Sequence, residues 1–274
     1  MFEITSSDEK SFARTGILKT LHGKIETPFF MPVATKTAVK FLDIQELREL
    51  GCECFISNSL VLFMRPGLEV MEKFGGIHKF CNWDKGVFTD SGGFQTGSKS
   101  FLEKITDTGV HFKNPFDGTK HLIQAEDVIK INEILRPDVV MVLDDMPLPS
   151  YTKERVIEST NRTLAWAERA KNSHKLEGQL LFGIAQGGFY PELRQKSIEK
   201  LTELNFDGIA LGGLAIGEPP EETKKIVDFC AKILPKKLPH YLLGVGTPLE
   251  LLNSIEKGID CFDSRFPTKS ARHG

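Results

Sequence analysis

The stretch VVMVLDDMPLPSYTKERVIESTNRTLAWAERAKNSHKLEGQLLFGIAQGGFYPELRQKSIEKLTELNFDGIALGGL, residues 139–214, decides the fold. It holds three short, almost wholly apolar runs: VVMVLDD (Val139–Asp145), LLFGIAQG (Leu180–Gly187) and GIALGGL (Gly208–Leu214). Runs of this length without polar alternation suit parallel strands buried on both faces. Between them, Thr152–His174 carries Val156, Ile157, Thr160, Leu164 and Ala167 at near-helical spacing, and Pro191–Leu204 reads similarly. Strands alternating with helices imply a parallel α/β architecture.

The pattern continues in both directions. Toward the C-terminus come a helix at Glu221–Leu234, with an acidic first turn after Pro219-Pro220, and strands at HYLLGVG (His240–Gly246) and GIDCFDS (Gly258–Ser264). Toward the N-terminus lie GVFTDS (Gly86–Ser91), CECFISN (Cys52–Asn58) and FFMPVA (Phe29–Ala34). Eight strands favour a closed (β/α)8 TIM barrel over an open doubly wound sheet. Two segments stand outside the alternation. The first 28 residues read as a β-hairpin capping the N-terminal end of the barrel. KITDTGVHFKNPFDGTKHLI, after the third strand, reads as an antiparallel insertion turning at Asp117-Gly118, followed by a helix at Ala125–Leu135. Residues 1–274 are therefore expected to form a single barrel domain.

Bulk properties narrow the function. A hydrophobic content of 40% supplies one large core, and a formal net charge of −2 excludes a generally basic nucleic-acid binder, so any RNA contact must come from a local patch. No apolar run approaches the roughly 20 residues that span a bilayer, and MFEITSSDEKSFARTG has no secretory apolar core, so a cytoplasmic location and no membrane partner are expected. The five cysteines, Cys52, Cys54, Cys81, Cys230 and Cys261, are odd in number and sit mostly in apolar stretches. They read as core residues rather than as disulfides or a zinc site.

Chemistry gathers at the C-terminal ends of the strands, where barrels of this kind place their active sites. The third strand ends in Asp90, Ser91, Gly92, Gly93, Phe94 and Gln95; the fourth in Asp144-Asp145; the fifth in Gln186-Gly187-Gly188. The sixth ends in Gly212-Gly213-Leu214, the seventh in Gly244-Val245-Gly246, and the eighth carries Asp260 and Asp263. Each of these alone reads equally well as a cap or a tight turn. Together they outline a polar site with close backbone approach. No G-x-S-x-G elbow and no H-E-x-x-H zinc pattern occur, which leaves carboxylate chemistry. Paired carboxylates can exchange a group at an anomeric carbon, one attacking while the other manages the leaving group's proton.

TPFFMPVATKTAVK, RPGLEVMEKFGGIHKFCNW, TDSGGFQ, FGIAQGG, GIALGGLAIGE, YLLGVGTPLELL and FDSRFPTKSARHG resemble, in order and over nearly the whole chain, the tRNA-guanine transglycosylase family. The resemblance implies exchange of guanine at the tRNA wobble position for a deazaguanine base, queuine or its aminomethyl precursor. It implies Asp263 as nucleophile, forming a covalent RNA intermediate, and Asp90 as general acid/base. The base would lie among Ser91, Gly92, Gly93, Phe94, Asp144, Gln186, Gly213 and Leu214. Asp144 would accept the guanine-like edge, since a carboxylate takes two parallel N–H donors. RNA contacts would come from Gly244, Val245, Gly246, Thr247, Pro248, Leu249 and Glu250, and from Thr268, Lys269, Ser270, Ala271 and Arg272.

Two departures from the family pattern stand out. The sequence ends eleven residues after Asp263, so neither a helix after the eighth strand nor the family's C-x-C-x-x-C zinc subdomain is expected. No metal or cofactor is expected in this chain, and zinc only with that subdomain. Asp144-Asp145-Met146 stands where many bacterial members have Asp-Glu-Cys; the Asp-Asp pair leans toward queuine and Ile216 toward the precursor. Homodimer and partner-subunit assemblies both stay open. The alternative readings are a partner-dependent or non-catalytic RNA-binding subunit, an inactive fragment, and a barrel hydrolase acting on a sugar or nucleoside.

Overall fold

The computed structural model describes residues 2–92 and 102–273. An antiparallel sheet comes first, β1 (Phe2–Ser7), β2 (Arg14–Thr20) and β3 (Gly23–Thr27). Barrel strands β4 (Phe29–Pro32), β5 (Cys54–Asn58) and β6 (Gly86–Asp90) follow, then the antiparallel insertion β7 (Leu102–Ile105), β8 (Val110–Lys113) and β9 (Lys120–Ile123). The barrel resumes with β10 (Val139–Met141), β11 (Leu180–Ala185), β12 (Gly208–Leu211), β13 (His240–Leu242) and β14 (Cys261–Ser264). Short helices α1 (Ile44–Glu49), α2 (Ser59–Leu62), α3 (Leu68–Phe74) and α4 (Ile77–Cys81) lie between the early strands. Longer ones flank the later strands: α5 (Ala125–Leu135), α6 (Lys153–Ser173), α7 (Pro191–Glu203), α8 (Pro220–Cys230), α9 (Pro248–Glu256) and α10 (Phe266–His273).

The eight barrel strands run in the order β4-β14-β13-β12-β11-β10-β6-β5 with parallel pairing throughout. A parallel bridge between Val33 and Ile56, with Ala34 N–H donating to Ile56 O at 2.7 Å, joins the two ends of this sheet. The expected closed (β/α)8 barrel is the observed one. Phe88 sits at its centre, with edge-on contacts to Phe29, Phe182 and Tyr241 at ring separations of 6.0, 5.6 and 6.0 Å. The ring of Phe182 fills the space that a side chain at Gly208 would need.

That packing fixes which residues face the barrel mouth. Strand side chains alternate, so residues two apart share a face. Phe88 points inward, which carries Asp90 inward one layer higher. Phe182 and Ile184 likewise carry Gln186, and Tyr241 pairs in register with Cys261, two residues before Asp263.

The N-terminal hairpin is a three-stranded sheet, and it does cover the N-terminal end. Arg14, nearly buried, reaches Asp260 with Nη2–Oδ2 at 2.5 Å and donates to Leu238 O at 2.7 Å. His22 contributes its backbone N–H to Asp138 Oδ1 at 3.0 Å. The insertion turns as expected, with Gly118 in the left-handed region at φ 78°. Helix α6 is capped by Thr152, whose hydroxyl accepts from Arg155 N–H, and α5 begins and ends where the periodicity placed it.

Two expectations need correction. The apolar runs overstate the strands: β10 stops at Met141 and β13 at Leu242, because the backbone leaves the ladder to turn the next residues over the mouth. A helix does follow the eighth strand. Pro267 presets the first turn of FPTKSARH, and α10 forms over Phe266–His273.

Candidate active site at the barrel mouth

Asp90 ends β6. Its Oδ1 accepts Gly92 N–H at 3.1 Å, while its backbone carbonyl takes the Ser59 hydroxyl at 2.7 Å. Burial pushes its carboxyl up to about 7, and the neighbouring charges of Asp263 and Asp144 push the same way. Asp263, on β14, accepts the Tyr241 hydroxyl at 2.7 Å and Gly244 N–H at 2.9 Å, both at Oδ1. Burial raises its carboxyl too, but both donors hold it toward the ionised form. The two acids therefore differ in kind. Asp90 is poised to exchange a proton near neutral pH, and Asp263 is a held carboxylate whose Oδ2 has no protein donor among the described residues. Environments that separate two carboxyls in this way assign one to proton transfer and the other to attack or charge stabilisation.

Across the mouth, Asp144 follows β10, and Gln186 follows β11. Gln186 Nε2 donates to Asp144 Oδ2 at 2.7 Å. Burial raises the Asp144 carboxyl to about 6 against the pull of that hydrogen bond. The Gln186 amide packs closely against Gly212-Gly213: a Cβ at Gly213 would stand 2.6 Å from Gln186 Oε1 and one at Gly212 2.5 Å from Nε2. Gly213 also adopts φ 66°. Side chains are excluded there for reasons of space and backbone conformation together. Gln186 Oε1 is a buried acceptor without a donor among the described residues.

The structure thus brings Asp90, Ser91, Gly92, Asp144, Gln186, Gly213, Leu214 and Asp263 to one end of the barrel. Ser91 and Leu214 are buried there. Gly93 and Phe94 lie outside the described residues, as does Gln95. Of the stretch 244–250, Gly244, Pro248 and Leu249 are exposed, while Val245 packs into the core and Glu250 closes a capping box with Thr247 at the start of α9. Gly246 is bare because Ser264 occupies the place of its Cβ. Thr268 is half-buried; Lys269, Ser270, Ala271 and Arg272 are exposed on α10, with the Arg272 guanidinium 5.6 Å from the Phe41 ring.

Several contributors were not among the site residues expected from the sequence. Tyr241 is the hydroxyl donor to Asp263. Asp145, adjacent to Asp144, is buried and held by Arg155 at 2.8 and 2.9 Å and by Arg162 at 2.5 Å, so it anchors the loop that presents Asp144. Arg194 is wholly buried behind the β11 and β12 ends. Lys36 and Arg65 flank the exposed Phe116 ring at 5.5 and 5.4 Å and add positive charge to the rim.

The residues present do not fit a zinc centre. The five cysteines are free thiols and form no metal-competent cluster among the described residues, and burial raises those of Cys54, Cys230 and Cys261. Among the described residues, His22, His78 and Asp138 form the one metal-competent grouping, at the opposite end of the barrel. Their imidazoles are stacked 3.5 Å apart and inclined by 15°, and each faces a different oxygen of Asp138, at 3.0 and 3.1 Å. A metal on an imidazole lies in the ring plane, and two stacked planes share no such point. The group is a clasp that ties the N-terminal cap and α4 to β10.

A TIM barrel whose mouth pairs a carboxyl poised near neutral pH with a held carboxylate, beside an amide-and-glycine wall, belongs to the class of barrel enzymes that work by carboxylate chemistry. Residues 8–274 match the family model described as queuine tRNA-ribosyltransferase. Queuine tRNA-ribosyltransferases of Fusobacterium nucleatum, Caldanaerobacter subterraneus and Thermotoga neapolitana are 46%, 45% and 45% identical to the chain. The alignments cover 97%, 100% and 100% of this chain and 72%, 73% and 73% of those proteins. The chain belongs to the queuine tRNA-ribosyltransferase family.

Proposed function

We propose that this chain is a tRNA-guanine transglycosylase, a pentosyltransferase that exchanges guanine in tRNA for a deazaguanine base in queuosine modification. The observation that carries the reading is the unequal carboxyl pair: Asp263 held by Tyr241 and Gly244, and Asp90 raised to about 7 beside it. Asp263 Oδ2 attacks the ribose anomeric carbon as the bond to guanine N9 breaks. Asp90 gives its proton to the departing base, and the ribose is held as an aspartyl ester within intact RNA. The incoming base then loses its N9 proton to Asp90 and displaces Asp263. Two inversions restore the original configuration.

Asp144, a carboxylate at neutral pH that the base's N–H donors hold ionised, reads the amide edge shared by guanine and its deaza analogues. The second Nε2 hydrogen of Gln186 and the Gly213 N–H serve the carbonyl beside it, and Ser91, Gly92 and Leu214 complete the pocket. Gly244, Pro248 and Leu249, the α10 residues Thr268, Lys269, Ser270, Ala271 and Arg272, and the rim cations Lys36 and Arg65 meet the RNA strand. Their local charge substitutes for the basic field that the chain as a whole lacks. Tight-binding phosphate contacts of this kind make affinity fall with added salt.

Exchange of radiolabelled guanine into a tRNA with guanine at the wobble position tests the reading. Incorporation by the native chain that vanishes in Asp263→Ala supports it. Incorporation that survives in Asp263→Ala removes the nucleophile, and a folded native chain that incorporates nothing removes the activity.

A further inference from the structure

Arg194 is electrostatically out of place. It lies in the first turn of α7, where the positive end of the helix dipole disfavours a cation, and its side chain is fully buried. No carboxylate pairs with it among the described residues. Burial lowers its guanidinium only to about 10, so it carries its charge at neutral pH. An unpaired buried cation is costly unless dipoles replace water around it.

Three carbonyls do so around Nε and Nη1, while Nη2 is buried without a hydrogen-bond partner among the described residues. Nε donates to Gly188 O at 2.9 Å, and Nη1 donates to Ala185 O at 2.7 Å and to Gly212 O at 2.8 Å. The choice of carbonyls is informative. The C=O of Ala185 shares a peptide plane with the N–H of Gln186, and the C=O of Gly212 shares one with the N–H of Gly213. Gly213 N–H makes no hydrogen bond among the described residues, and its residue packs against the Gln186 side chain, whose Nε2 donates to Asp144. A cation on one end of a peptide dipole strengthens the donor at the other end.

We infer that Arg194 is a positioning residue for base recognition: a buried cation that locks the ends of β11 and β12 together and polarises the Gly212–Gly213 peptide toward the carbonyl of the bound base. The inference rests on the base-exchange reading above. It predicts that Arg194 sets the preference for a true carbonyl acceptor and matters less for a base that accepts weakly at that position. The cost of burying the charge is then tied to specificity, and the barrel would tolerate its replacement better than its burial suggests.

Guanine and 6-thioguanine share their N1–H and amino group and differ in the acceptor, oxygen against the weaker sulfur. Their inhibition constants against guanine exchange, measured for the native chain, Arg194→Met and Arg194→Lys, separate the possibilities. Arg194→Met should bind guanine about tenfold more weakly while 6-thioguanine stays within about twofold, the size expected for one lost charge-assisted polarisation. Arg194→Lys, which retains the charge, should recover most of the difference. If Arg194→Met fails to fold, a selective loss of about threefold in Arg194→Lys is the expected remnant. Equal weakening of both bases in a folded variant, or guanine binding as in the native chain, overturns the inference. A native chain that exchanges no guanine overturns the base-exchange reading and this inference with it.

Discussion

Replacing Asp90 by asparagine should stabilise the protein, and the gain should grow with pH. The native carboxyl titrates near 7 rather than at its ordinary 3.8, a displacement of about three pH units. Between those values the folded state keeps a proton that the unfolded chain releases, so native stability falls by about 1.4 kcal/mol for each pH unit. The stabilising contribution is whole below pH 3.8 and gone above about 7, a loss of roughly 4 kcal/mol at most from this one group. Asparagine has no such titration. Urea unfolding at intervals from pH 5 to pH 8 should show Asp90→Asn gaining on the native chain by about 1.4 kcal/mol per unit up to neutrality, then running parallel. The same variant should lose proton transfer, and with it base exchange. Stability curves that stay parallel from pH 5 to pH 7 would refute the reasoning, because they would mean that Asp90 titrates like an exposed carboxyl.

Three further outcomes follow from the same geometry. Tyr241→Phe removes one of the two donors to Asp263, a hydrogen bond to a charged group worth about 1.5–3 kcal/mol, so the acid limb of the kcat profile should move to higher pH and exchange should slow by tenfold or more. Asp144→Asn should raise the KM for guanine by about a hundredfold, since an amide cannot accept two parallel N–H donors; an unchanged KM would remove Asp144 from base recognition. Arg14→Met, at the far end of the barrel, leaves the Asp260 carboxylate buried without its cation and should cost about 3–5 kcal/mol in unfolding free energy, with exchange per folded molecule unaltered.

The barrel was legible because its strands are buried on both faces. Val139–Met141, Leu180–Ala185 and Gly208–Leu211 must be apolar at every position, and such runs are conspicuous between helices such as α6. Strand ends were less so, since Leu143 and Leu243 remain apolar after the ladder has stopped. Asp90 and Asp263 could be found from their place at strand ends, but the difference between them could not. It arises from Tyr241 and Gly244, which come from a neighbouring strand and its loop. Arg194 shows the limit in another form. In PELRQKSIEK it looks like one more solvated charge, yet it shares the buried stripe of Ser197, Ile198 and Leu201 at helical spacing. An arginine on an apolar stripe was the available signal.

The central claim is that Asp263 forms a covalent bond to ribose, and trapping tests it most directly. The native chain, incubated with a wobble-guanine tRNA and resolved under denaturing conditions without an incoming base, should yield a protein–RNA adduct whose modified peptide carries the ribose on Asp263. The adduct should disappear when guanine is added back and should not form with Asp263→Ala. An adduct located on another residue, or an equal yield from Asp263→Ala, would contradict the account.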